Sequence, residues 1–265
     1  MLISAILLAS ASPAMVRQEI LPEADAKSRQ TGISQACTSG RVWCIRLEIQ
    51  SDDEHSSHSI TVRQASGQSA QTTIDYADTI AVSGTGLWTR PVSYRTANGR
   101  SGLLFGIVTT RAEAYSGGGA YAETLQFLRA ETEASGTLAI TPMDDPVPLA
   151  ASVMIRACFS EQDMKLRRNI CHDEYDLAVT LKLRPKLVHD LPAFTYVSKA
   201  TITPGFAARD NDNSDAARLK AMKAADFKTR SDTRCSFTRP LDADARRARY
   251  VLDVPDCSNY GPGEE

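Results

Sequence analysis

From Arg41 to Gln50 the apolar residues Trp43, Ile45, Leu47 and Ile49 alternate with Val42, Cys44, Arg46 and Glu48, the two-residue period of a half-buried strand. Ile60 and Val62, Ile74 and Tyr76, and Ile80 and Val82 repeat that period in short bursts, with Ser, Gly, Gln and Asp filling the gaps as turns require. Short strands at this spacing predict an antiparallel sandwich or barrel rather than βαβ units.

Two hairpins follow. Asn98-Gly99 tolerates positive φ at both centres of a type I′ turn, so Ala97 is expected opposite Arg100. Tyr94 then faces Leu103 and Val92 faces Phe105, with Trp88 and Ile107 on the same apolar side. Arg90 is the exception on that side and is expected to snorkel out near an edge. The stretch YSGGGAY, residues 115 to 121, lacks the Gly-Lys-Ser/Thr of a phosphate loop and reads as a glycine-containing hairpin turn. Pairing Tyr115 with Tyr121 keeps Leu125 and Phe127 on the face of Phe105 and Ile107. Residues 88 to 130 thereby form a three-stranded antiparallel meander.

The Pro- and Asp-rich segment 141–150 marks a sub-boundary between sheets or domains. From Ser214 the character changes to helix formers, with Ser214 or Asp215 as the N-cap and Leu219 and Met222 three apart. The expected organisation is an export segment over 1–14, a linker over 15–36, an antiparallel β core over 37–205 and a basic helical or irregular segment over 206–265. The fold class is mainly β: a sandwich or barrel-like core with a short C-terminal α-helix and a disulfide-pinned tail. The last residues, GPGEE, read as disordered.

Composition changes this picture little. The 265 residues are 42% hydrophobic and 23% charged, ordinary for a globular protein, with a formal net charge of −2 that gives no global pull toward nucleic acid. Residues 216 to 250 hold ten Lys or Arg against four Asp, which reads as a solvated face or as a patch for an anionic envelope component. The N-terminus changes it more. MLISAILLASASPA is an apolar run ending at Ala9-Ser10-Ala11 and Ser12-Pro13-Ala14, both A-x-A-like cleavage sites, although no Lys or Arg precedes the run. It is too short to span a bilayer, and no other segment is long and apolar enough to do so.

Cysteine usage agrees with export. Cys37, Cys44, Cys158, Cys171, Cys235 and Cys257 fall into three local couples, and short loops close at little entropic cost, so 37–44, 158–171 and 235–257 is the expected pairing. Disulfides rather than zinc imply an oxidising compartment, the periplasm or the exterior.

Candidate chemistry is sparse. Asp52, Asp53, Glu54, His55 and His58 sit in what reads as a polar connection, and Asp210, Asp212 and Ser214 lack the glycine and glutamate of a calcium loop. No metal or cofactor is expected. There is no G-x-S-x-G, S-x-x-K or H-E-x-x-H, and the cysteines are committed to disulfides. A carboxylate pair for glycoside hydrolysis stays open, because its members need not be close in sequence. The best-supported class is therefore a non-enzymatic binding, envelope or accessory protein with no nucleic-acid partner. The runner-up is a glycan-directed hydrolase for which His172, Asp173 and Glu174 are the weak site candidates. A third class is a calcium-stabilised adhesion module.

The segment around those candidates poses a register problem. Val153, Ile155, Ala157 and Phe159 upstream, and Tyr175, Leu177, Val179, Leu181 and Leu183 downstream, are all odd-numbered. Placing Cys158 directly opposite Cys171 sets odd against even, laying one apolar face on the other strand's polar face. A β-bulge within His172–Glu174 is expected to restore agreement. The intervening SEQDMKLRRN then forms an exposed, charged tip, closed by a disulfide worth about 3 kcal/mol in the chain-entropy model.

Overall fold

The computed structural model describes residues 15–21, 32–51, 56–76, 82–205, 216–244, 248–253 and 255–261. Among them the chain is mainly β, in two antiparallel sheets. The expected export segment, Ile80, the 210–215 stretch and the Ser214 or Asp215 cap lie outside the described residues.

The smaller sheet runs β2 (Ile33–Cys37), β3 (Trp43–Ser51), β4 (Ser56–Gln64) and β5 (Ser69–Tyr76) side by side. The larger sheet follows the order β1 (Met15–Gln18), β7 (Val92–Arg95), β8 (Ser101–Tyr115), β9 (Gly118–Thr132), β11 (Val147–Arg156), β12 (His172–Leu183), β13 (Phe194–Thr203), β15 (Thr238–Asp244) and β16 (Arg249–Val251). β6 (Val82–Leu87) adds to β8, β10 (Leu138–Pro142) to β9, and β14 (Arg230–Ser231) to β13.

One core cluster joins Val92 and Tyr94 of β7 to Leu241 and Tyr250 of β15 and β16, which requires the large sheet to curl until its two ends share an interior. At its centre Phe127 lies 4.6 Å from Tyr250 and 5.4 Å from Trp88, ring to ring, in the tilted and edge-on geometries that aromatic quadrupoles favour. On the other face of β8, Leu103, Phe105 and Ile107 pack against Trp43, Ile45, Leu47, Ile60 and Val62 of the small sheet. A third cluster, with Tyr175 and Ala200, is closed by Tyr260 and Cys235 of the C-terminal tail.

Burial on both faces of β8 overturns both expected hairpin registers. Val92 pairs with Leu104 and Tyr94 with Gly102, one residue away from the expected match. The turn holds three residues: Gly99 donates to the Thr96 carbonyl and Thr96 to the Arg100 carbonyl, at 2.9 Å each, with Gly99 at φ +83°. This is the type I turn with a left-handed third residue rather than the two-residue I′ turn. The next hairpin is tighter than expected, with Tyr115 opposite Gly118 rather than Tyr121. Phe105 therefore faces Leu128, while Leu125 and Phe127 join Leu104 in the curled interior.

The stretch 15–36, expected as a linker, contains β1 and β2, which pair with β7 and β3. The 141–150 segment separates nothing: β10 and β11 both pair with β9, and Met143 between them and Val147 at the start of β11 are buried in the common core. In the C-terminal segment, α2 (Ala216–Ala221) follows α1 (Glu161–Leu166) as the second short helix, and it ends early. The Asp226 carboxylate captures the Lys223 amide at 2.8 Å, starting a separate 3-10 turn over Ala224–Phe227 that buries Phe227. The chain then returns to the large sheet as β14 to β16, so the tail is part of the β architecture.

The disulfides join Cys37 to Cys44, Cys158 to Cys171 and Cys235 to Cys257, the three sequential couples. Together they suggest an oxidising, extracytoplasmic environment. Among the described residues no helix is long and apolar enough to cross a membrane.

Candidate functional site

The β11–β12 ladder runs unbroken through His172, Asp173 and Glu174, against Arg156, Ile155 and Met154. The expected bulge is absent from these positions. Odd still faces odd, because Cys171 lies opposite Ala157, whose amide donates to its carbonyl at 2.8 Å, and Cys158 sits one residue further on. The offset is absorbed diagonally at the disulfide rather than in the strand. A bulge does occur in β11, between Pro148 and Ala150 on its β9 side.

Strand alternation then divides the three candidates. His172 and Glu174 point to solvent, whereas Asp173 is fully buried on the face that carries Tyr175. Asp173 meets Arg167, also fully buried, in an ion pair, and Arg167 Nε donates to the Ile170 carbonyl at 3.0 Å. The tip is exposed as expected except at Arg167, which anchors it inward, and its residues Glu161–Leu166 form a short helix. Ser160 caps α1 by accepting the Asp163 amide at 3.1 Å. The Asp163 carboxylate accepts the Phe159 amide at 3.0 Å, and that donor, with the Ser160 hydroxyl, holds the carboxyl below the usual range. After α1, Arg168 and Asn169 adopt φ of 55° and 66°, the left-handed geometry that turns the chain back toward Cys171.

Sequence reading missed Arg167, yet a signal was present. Asp173 falls on the odd, apolar parity of β12, and a buried carboxylate demands a cation and further hydrogen bonds. Arg167 lies six residues upstream, inside the same disulfide loop.

On the outward face, Glu174 and Asp176 of β12 share a groove of about 360 Å³ with Glu113, Tyr121, Ser152 and Met154. The concavity follows from the register: Gly119 stands beside Met154, and Ser152 between Tyr121 and Asp176, so small residues separate larger ones. Tyr121 donates to Glu123, and burial together with that carboxylate pushes its phenol up to about 12.

A second groove, about 440 Å³, opens between the two sheets. Met15, Arg17 and Glu19 border it from the N-terminal strand, Val42 and Trp43 from the start of β3, and Ser93 and Arg95 from β7. None of these residues was singled out by motif, since their proximity exists only once β1 has paired with β7.

The remaining candidates disperse. His58 is buried in β4 between Ile49 and Ile74, and burial lowers its imidazole to about 4. Asp52 to His55 lie outside the described residues. Among the described residues no group of three or more His, Cys, Asp or Glu is placed to hold a metal ion. Comparison with protein-family models, curated proteins and solved structures finds no match to this chain.

Proposed function

We propose that this is an exported, non-enzymatic binding, envelope or accessory protein with a sandwich-type β core, acting in the periplasm or outside the cell. The observation that carries the reading is the inter-sheet groove, where Met15 and Val42, from separate elements, leave apolar surface in solvent beside Trp43. Convergent exposed apolar groups at a concavity are characteristic of binding surfaces. The basic 216–250 segment, with Lys228, Arg230 and Arg239 exposed, supplies attraction to an anionic envelope component. Co-sedimentation with an envelope fraction from a native-like host tests this. Retention at low salt that falls at high salt is expected, and no retention at low salt would overturn the envelope assignment.

A second reading, the glycan-directed hydrolase, draws on Glu174 and Asp176 rather than the Asp173–Glu174 pair. Both line the outward groove, and residues two apart on a strand stand about 7 Å apart, near the separation used by inverting glycosidases. Hydrolysis of envelope glycan by the wild type that Glu174→Gln abolishes would establish it; equal inactivity of both proteins would remove it.

A further inference from the structure

We propose that the inter-sheet groove binds a monomeric, short-chain anionic amphiphile, with its chain against Met15, Val42 and Trp43 and its acid head on Arg95. The inference deepens the binding-protein reading and rests on it.

The groove exists because the small sheet cannot cover the whole face presented to it. On β7 and β8 the odd-numbered residues share that face, and Leu103 and Phe105 are covered by the small sheet's apolar side. The same face continues outward through Ser101, Arg95 and Ser93, then through Met15 and Arg17 of the paired β1. The small sheet ends over this region at the Cys37–Cys44 turn, whose last residues are Val42 and Trp43. Met15 keeps 62% of its surface exposed and Val42 48%, while Trp43 is buried and forms part of the wall. A flexible thioether at such a rim adapts to chains of varied shape.

Charge selects the head group. Glu19 accepts the Ser93 hydroxyl at 2.9 Å and lies 3.5 Å from Arg17 Nε, so those two charges compensate each other. Arg95 makes no ion pair among the described residues. A guanidinium without a carboxylate partner among the described residues, beside an apolar wall, fits one carboxylate or comparable acid on an apolar tail. A volume of about 440 Å³ lies toward the small end of ligand pockets, which favours a short chain over a diacyl lipid.

The probe is decanoate with a terminal bromine, which quenches tryptophan on contact. Trp88→Phe leaves Trp43 as the sole tryptophan, and Trp43→Phe leaves Trp88, which belongs to the curled interior. Saturable quenching is expected in the first variant and none in the second. Because both tryptophans are core residues, calorimetry of decanoate with the wild type, Arg95→Gln and Met15→Ser provides a reading on surface changes alone. Arg95→Gln should weaken binding roughly tenfold, and the neutral decanol should bind the wild type about as poorly. Equal quenching of both tryptophans, unchanged affinity in Arg95→Gln, or binding only to anionic vesicles and not to monomer would each overturn the proposal. Envelope retention without decanoate binding defeats this inference alone; decanoate binding without envelope retention defeats only the envelope assignment.

Discussion

Arg167, inside the loop closed by Cys158 and Cys171, and Asp173, just beyond it, form an ion pair with both side chains wholly removed from solvent. The pair locks the end of α1 to the first residues of β12, and the Ile170 carbonyl takes a further donor of the guanidinium. Such a pair brings little net stability over apolar residues of similar volume, because desolvating both charges offsets their attraction. Losing one member is another matter.

Asp173→Ala should destabilise the protein by about 3–5 kcal/mol, since it strands a buried guanidinium. The double change Arg167→Met with Asp173→Leu should recover most of that loss. Denaturant titration decides: a single variant as stable as the wild type would mean that the pair is not buried as described.

Cys158→Ser with Cys171→Ser should cost about 3 kcal/mol for a loop of this length, and the change should concentrate at this end of the molecule. Hydrogen exchange of α1 and the start of β12 would report it. In the unreduced, unfolded wild type a thiol titration should find no free cysteine, as all six are paired.

Acid should act on the small sheet through His58. Its folded-state value of about 4 lies below the ordinary 6.5, so the unfolded chain takes up a proton that the folded one refuses. Stability from this site is intact above pH 6.5 and is lost as pH falls toward 4, by up to about 3 kcal/mol. His58→Leu, set between Ile49 and Ile74, should flatten this part of the stability profile. Parallel profiles for wild type and variant would rule the site out.

Export is expected to remove the first residues after Ala11 or Ala14. β1 begins at Met15, so either cleavage leaves every described strand whole. Intact mass of the protein secreted from a native-like host should start at Ser12 or Met15; retention of Met1 would refute the assignment.

What the sequence determined by itself was whatever depends on local pattern. Period-two alternation at Trp43–Ile49 marked β3, and β8 of the large sheet packs on one of its faces, so the alternation carried through to burial. Cysteine proximity marked the three disulfides because short loops close cheaply. The odd parity of Val153–Phe159 and Tyr175–Leu183 demanded a register of odd against odd, which the β11–β12 ladder obeys.

Only the tertiary structure decided the rest. β8 is apolar at both parities, from Leu103 to Val108, because the small sheet covers one face and the curled large sheet the other. A one-residue slip then buries as much apolar surface as the true register, so hydrophobic pattern loses its power to choose and the turn geometry at Gly99 chooses instead. The same holds for Arg167: nothing local distinguishes it from the neighbouring Arg168, which stays exposed. The direction in which the helix turn carries the chain, and the buried carboxylate waiting on β12, make one arginine a core residue and leave the other in water. The inter-sheet groove belongs to the same class, since Met15, Val42 and Arg95 meet only through strand pairing and sheet packing across distant parts of the chain.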